Sequence, residues 1–258
     1  MSLIGSKIES GVLVLHLNRP DKFNSFNREM ALQLIAELDK AADEKTIRAV
    51  LITANGKAFC AGQDLAEAMD KNGPGIERIV HEHYNPIILR LRKLQKPVVC
   101  AVNGVAAGAG ANIALACDVV FAGKASSFIQ AFSKIGLIPD SGGTFFLPKL
   151  IGFGKASALM MLGDKVSATD AEQMGMIYKV VDDEKLFETA LATATTLAQM
   201  PTKGIALTKK LLNEGTTNTL EKQLQREKEE QVIAASTYDY NEGVNAFLEK
   251  RQPVFKGD

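Results

Sequence analysis

PVVCAVNGVAAGAGANIALACDVVFAG, running from Pro97 to Gly123, is the stretch on which the fold class turns. PVVCAVN and VVFAG at its two ends are apolar runs without polar alternation, the pattern of strands covered on both faces. GVAAGAGANIALACD between them is rich in small residues and reads as a loop entering a helix. Strand, helix and strand in that order point to an α/β fold. On the N-terminal side, RAVLITA (48–54) is another buried-strand run. SFNREMALQLIAELDKAADE (25–44) has helical spacing, with Met30, Leu34 and Leu38 four residues apart. KIESGVLVLHLNRP (7–20) alternates about a glycine, as a hairpin or two short strands do. GIERIVHEHYNPIILRLRKLQK (75–96) is helical in pattern, with a kink expected at Pro86.

On the C-terminal side helical patterns take over, interrupted by MIYKVVD (176–182) as one more strand. In SATDAEQMG (167–175) Ser167 is placed to cap a helix. The last stretch, 219–251, is a highly charged helical segment whose charges read as a solvated face. The expected architecture is an α/β core over residues 1–195 followed by a C-terminal helical region over 196–258.

Composition excludes several classes of function. A chain of 258 residues buries a sizeable core without disulfides or metals. Its 30 basic residues offset 30 acidic ones, so no global field selects nucleic acid or an anionic membrane. It has no Trp, and its basic residues do not interleave with aromatics, so a nucleic-acid platform is unsupported. Cys60, Cys100 and Cys117 are odd in number and lack metal-ligand spacing; they read as reduced thiols of a cytoplasmic protein. No apolar run is long enough to span a bilayer. The first residues, MSLIGSKIESG, lack the basic and then apolar segments of a secretion signal.

Two glycine-rich segments, NGKAFCAGQDL (55–65) and NGVAAGAGANIALACD (103–118), both put small residues where a loop enters a helix. Free N–H groups at such an entrance can converge on one oxygen as an oxyanion hole. Tight packing of a helix on a sheet is the competing reading of the same small residues. A dinucleotide loop fits poorly, because GAGANIA lacks the third small residue and the following acidic residue; GxxxxGK[ST] is absent. HExxH, CxxC and GxSxG are absent too, and His81 and His83, two apart on a helix, face different sides. One carboxylate stands out: Asp140 in KIGLIPDSGGTFFLP (134–148) sits between a proline and a Ser-Gly-Gly turn. Turn chemistry alone accounts for Pro-Asp-Ser-Gly. A base for proton transfer is the other reading. The flanking Phe132, Leu137, Ile138, Phe145 and Phe146 are expected to surround it with apolar groups and raise its pKa.

NRPDKFNSFN, FCAGQDL, KPVVCAVNGVAAGAGANIALACD, GLIPDSGGTFFLP and SATDAEQMGMIYKVV, in this order and spacing, resemble the enoyl-CoA hydratase/isomerase (crotonase) superfamily over nearly the whole chain. The resemblance implies a spiral of ββα units followed by helices that build a homotrimer, often paired into a hexamer. It implies an acyl-CoA thioester as substrate, with no further cofactor and no metal. By position, the oxyanion hole would use the backbone N–H groups of Gln63 and Ala109. The segment Ala61, Gln63, Asp64 and Leu65 would run near the CoA, with Lys22 and Phe23 lining its adenine end. Phe247 and Lys250 resemble residues that reach the nucleotide of a neighbouring subunit.

The departures matter most. Typical hydratases of the superfamily carry two glutamates, and here those positions hold Asn112 and Phe132. Neither can transfer a proton at neutral pH. Asp140 resembles the carboxylate of the isomerase branch, and AFSKIGLIPDSGGT is similar to the ring-1,2-epoxyphenylacetyl-CoA isomerases of phenylacetate catabolism. Hydrolytic dehalogenases of the superfamily also use an Asp there, but their His and Trp positions fall on Asn85 and Phe132. The expected activity is isomerisation of an acyl-CoA, by double-bond shift or ring-epoxide rearrangement, with Asp140 as the single acid/base. The alternatives are an enoyl-CoA hydratase, or a non-catalytic acyl-CoA or RNA-binding member.

Overall fold

The computed structural model describes residues 2–258. Among these residues, ten strands form two sheets. In chain order they are β1 (Ile4–Glu9), β2 (Val12–Leu17), β3 (Ala49–Ala54), β4 (Ala58–Cys60), β5 (Val98–Val102), β6 (Val105–Ala107), β7 (Val119–Gly123), β8 (Ser127–Ile129), β9 (Lys165–Ser167) and β10 (Lys179–Val181). The larger sheet has the order β1-β2-β3-β5-β7-β10, and the smaller β4-β6-β8-β9. Pairing within the larger sheet is parallel except for the β1–β2 hairpin, whose turn residues Ser10 and Gly11 have φ of 50° and 79°. In the smaller sheet only β9 runs antiparallel to its neighbour.

β3–β4, β5–β6 and β7–β8 repeat one move: a strand of the large sheet, a short bend, then a strand of the small sheet. The chain therefore winds as a spiral of ββα units. Successive turns touch at their bends. A Cβ on Gly104 would stand 2.2 Å from the Lys57 carbonyl oxygen, and the Asn103 side-chain amide donates to the Gly56 carbonyl at 3.0 Å.

Burial on both faces explains the unalternating strand sequences. Leu13, Leu15, Val50, Ile52, Val98 and Cys100 point into the main core, while their neighbours Val12, Val14, Ala49, Leu51, Val99 and Ala101 point into a second one. The helix Leu186–Gln199 closes the second core with Ala190, Ala194 and Ala198, one small residue per turn. The helix Arg28–Asp43 lays Met30, Leu34 and Leu38 on the main core and is capped by Asn27, whose side chain accepts the Met30 N–H at 3.0 Å. Ser167 caps Ala168–Gln173 in the same way.

Two details differ from the reading of the sequence. The irregularity expected at Pro86 lies just before it, where Ile79–Tyr84 forms a π-helical turn between the helices Gly75–Arg78 and Asn85–Lys93. Asn85 N–H donates to the Val80 carbonyl, five residues back, and Pro86, which has no N–H to give, falls in the first turn of the next segment. The division expected at 195/196 falls inside the helix Leu186–Gln199. Beyond Pro201 come the helices Thr202–Gly215, Leu220–Ala235 and Tyr238–Glu249. The first of these is tied back to the core by buried Lys209, which pairs with Asp118 at 2.7 Å and donates to the Leu91 carbonyl at 2.7 Å.

Candidate active site

Three backbone segments meet where the glycine-rich stretches leave the small sheet. The first two are residues 23–26 and 61–64. Ala61 N–H donates to Phe23 O at 3.0 Å, Phe26 N–H to Gly62 O at 2.7 Å, and Asp64 N–H to Phe26 O at 2.8 Å. The last two bonds form a parallel bridge centred on Gln63. Successive peptide groups of an extended chain face opposite sides, so the Gln63 N–H is turned away from Phe26. Arg19 pairs with Asp64 at 2.7 Å and holds its carboxyl below the usual range, against the upward push of burial. Asp64 also caps the short helix Leu65–Met69. The backbone pairing thus brings the segment holding Lys22 and Phe23 beside the one holding Ala61, Gln63, Asp64 and Leu65, with the Phe23 and Leu65 side chains exposed.

The third segment is the entrance to the helix Ala109–Leu115. Gly108 has φ 53° and ψ −126°, a conformation closed to residues with a Cβ. As the first helical residue, Ala109 has an N–H with no partner within its helix. Gly62, at φ 93°, brings the 61–64 segment alongside: a Cβ there would stand 3.0 Å from Ala107 O and 3.7 Å from Ala109 N. The small residues serve packing as well. A Cβ on Gly110 would lie 2.5 Å from Cys60 O and 2.6 Å from Cys60 Sγ. Burial pushes the Cys60 thiol up to about 12, so it is no thiolate nucleophile at neutral pH.

Asp140 faces this region from a tight turn. Gly143 N–H donates to Asp140 O at 2.9 Å, and Ser141 and Gly142 between them have φ of 51° and 72°. Both central residues are left-handed, so Asp140 opens the turn, and Pro139 lies ahead of it. The turn is pinned from below by fully buried Asn112, whose Nδ2 donates to Asp140 O at 2.9 Å while its Oδ1 accepts from Gln130 Nε2 at 2.8 Å. Asn112 thereby spends its polar atoms on structure. The Asp140 carboxyl is half-buried, and burial raises its pKa against the opposing bond from Ser141 Oγ at 2.9 Å.

The sequence neighbours expected to enclose Asp140 only partly do so. Leu137, Ile138 and Phe145 are exposed, Ile138 at 82%. Phe132 is buried and stands beside the helix entrance, where a Cβ on Gly108 would lie 3.7 Å from its ring. Phe146 packs on the turn, 2.6 Å from the place of a Gly142 Cβ, and Ile88 approaches the same point at 3.6 Å. Tyr84, from the π-helical turn, completes the surroundings. Its hydroxyl is held well above the ordinary range, first by burial and then by Cys60, Asp140 and Glu67. Tyr84 carried no motif in the sequence, which showed only that its stretch, 75–96, is helical in pattern. Of the two helical histidines, His81 is exposed and His83 buried. Phe247 lies elsewhere, exposed beside a hollow of about 420 Å³ lined by Pro201, Ala235, Tyr240 and Phe255. Lys250 is the left-handed C-cap of the same helix.

Comparison with known proteins identifies the family. The family model described as enoyl-CoA hydratase/isomerase matches residues 7–258. The chain is 50% identical over 260 residues to the 1,2-epoxyphenylacetyl-CoA isomerase of Escherichia coli K12, covering 100% of this chain and 99% of that protein. It is 37% identical over 253 residues to the trans-2-decenoyl-[acyl-carrier-protein] isomerase of Streptococcus mutans, covering 97% and 96%. Among solved structures, an enoyl-CoA hydratase from Bacillus anthracis superposes with a TM-score of 0.93 at 33% identity, over 99% of this chain and 100% of that one. The chain belongs to the enoyl-CoA hydratase/isomerase family and has its spiral fold.

Proposed function

We propose that this protein isomerises an acyl-CoA thioester through an enolate, with Asp140 as the single acid/base. One observation carries the reading. A half-buried carboxylate of raised pKa stands on a pinned turn, while the two positions that bear glutamates in hydratases hold a structurally committed Asn112 and an apolar Phe132. The similarity to an epoxyphenylacetyl-CoA isomerase supports it and favours an unsaturated or ring-epoxide arylacetyl-CoA as substrate.

Moving a double bond toward the thioester removes a proton beside the carbonyl and returns one two carbons away. A single carboxylate that reaches both carbons does both steps. Desolvation makes Asp140 a stronger base than an exposed aspartate. The enolate oxygen accepts the Gln63 and Ala109 N–H groups, each such donor being worth about 10²–10³ in rate. Lys22, Phe23, Ala61, Asp64 and Leu65 hold the CoA, and Phe132 is an apolar wall for the acyl group.

The test uses a 3-enoyl-CoA in water enriched in heavy oxygen. The conjugated 2-enoyl thioester should form without oxygen uptake. A labelled 3-hydroxyacyl-CoA would mean hydration and overturn the proposal; binding without turnover of 3-enoyl or arylacetyl-epoxide thioesters would mean a binder. On the acid side, kcat/KM should fall with a slope of one proton through a pKa above the ordinary aspartate value, because the base is lost on protonation. An activity flat across that range would count against Asp140.

Phe247 and Lys250 serve, in this reading, the nucleotide site of a neighbouring subunit in a homotrimer or a dimer of trimers. Exposed Ile138, Phe153 and Met161 offer apolar surface for such contacts. Light scattering should report three or six chains per particle; a monomer at micromolar concentration would refute the assembly.

A further inference from the structure

We infer that Tyr84 is a positioning residue for the Gln63 peptide, acting through a partly buried relay of side chains. The inference rests on the proposal that the Gln63 N–H stabilises an enolate. Tyr84 Oη donates to Gln63 Oε1 at 2.8 Å. Gln63 Nε2 donates in turn to Glu67 Oε2 at 3.0 Å. The Glu67 carboxylate is held in place by the Arg28 backbone N–H, at 2.9 and 3.1 Å, in the opening turn of the helix Arg28–Asp43. A carboxylate only accepts, so the Gln63 amide must present its nitrogen to Glu67 and its oxygen to Tyr84. The orientation of the side chain is thus fixed from both ends.

The backbone on either side of Gln63 is already anchored, through Gly62 O and Asp64 N to Phe26. The Gln63 N–H shares one planar peptide with the Gly62 C=O, so the Phe26 bond sets its direction; what remains free is rotation of the Gln63 side chain and libration of that peptide about the bond. The relay restrains the side chain. A side chain tethered at both ends leaves its Cα little room, and the adjoining Gly62–Gln63 peptide, held at Gly62 O, librates less about its aim. Tyr84 can reach Gln63 because the π-helical turn Ile79–Tyr84 adds a residue to the helix and lets His83 and Tyr84 both face inward. Such turns recur at functional sites. Its ring stands edge-on to Phe26, centroids 6.1 Å apart, so it also packs against the residue that bridges to Gln63.

Tyr84→Phe removes the hydroxyl and keeps the ring. It should lower isomerase kcat about 10-fold, a share of the ~10²–10³ worth of one oxyanion donor, with KM changed less than about twofold. Gln63→Leu removes the acceptor and leaves the peptide N–H. The decisive measurement is the double-mutant cycle: in a Gln63→Leu background, Tyr84→Phe should have no further effect on kcat. A wild-type kcat in Tyr84→Phe, or full additivity of the two substitutions, would overturn the relay. So would a fall in kcat that is accounted for by unfolding at the assay temperature. These results stand apart from the isomerase reading itself, which wild-type turnover and Asp140→Asn decide.

Discussion

Asp140→Asn should lower isomerase turnover by about 10³- to 10⁴-fold, the upper part of the range for loss of a positioned acid/base, and should make the protein more stable at neutral pH. Both effects have one cause. Burial raises the Asp140 pKa above its value in the unfolded chain. The folded state therefore binds this proton more readily than the unfolded state. The stability linked to the group is fully present below the unfolded pKa and is lost as pH rises through the folded one. At pH 7 the wild type carries the penalty of a desolvated charge, and Asn does not. Asn can still accept the Ser141 hydroxyl bond, and the backbone turn is untouched. Thermal unfolding at pH 7 should give the variant the higher Tm, with the gap closing as pH is lowered past the ordinary aspartate range. Full turnover in the variant would remove Asp140 from the mechanism. A lower Tm at pH 7 would mean that the carboxylate is held by interactions stronger than its desolvation.

Restoring the hydratase glutamate, Asn112→Glu, should abolish isomerase activity without producing hydration. Asn112 is fully buried, and its side chain lies directly against the backbone of the Asp140 turn: a Cβ on Gly143 would stand 2.4 Å from Asn112 Nδ2. Glutamate is one methylene longer and finds no space, an overpacking cost of about 1–3 kcal/mol. It also loses the donor to Asp140 O and puts a second carboxylate close to the first. Together these should destabilise the fold by about 3–5 kcal/mol, the scale of an uncompensated buried charge. Urea denaturation measures the loss, and heavy-oxygen uptake measures hydration. A stable variant that adds water to a 2-enoyl-CoA would mean that Asn112 is merely an eroded glutamate.

These two residues divide what was legible in the sequence from what was not. The core strands were legible because a strand covered on both faces shows no polar alternation, as in AVLITA and VVCAV, where the one hydroxyl, on Thr53, is satisfied by the Ala101 carbonyl. The cap residues Asn27 and Ser167 follow from local hydrogen bonding alone. Asp140 was visible because a carboxylate in an apolar stretch is conspicuous, and ordered motifs tied it to a known family. The sequence fails where partners are remote. It expected five flanking residues to enclose Asp140; Phe132 is buried and Phe146 does pack on the turn, but Leu137, Ile138 and Phe145 are exposed, and remote Ile88 closes on the turn in their place. It marked Asn112 only as a missing glutamate, because its bonds to Asp140 and Gln130 span 28 and 18 residues.

By itself, then, the sequence determined the alternation of buried strands and helices, the family, and the carboxylate to suspect, since each depends on local pattern or residue type. The tertiary structure alone decided how Tyr84, Gln63 and Glu67 join, which way the Gln63 N–H faces, and what surrounds Asp140. Those relations arise when the spiral stacks one turn on the next, and no local pattern encodes which distant side chains then meet.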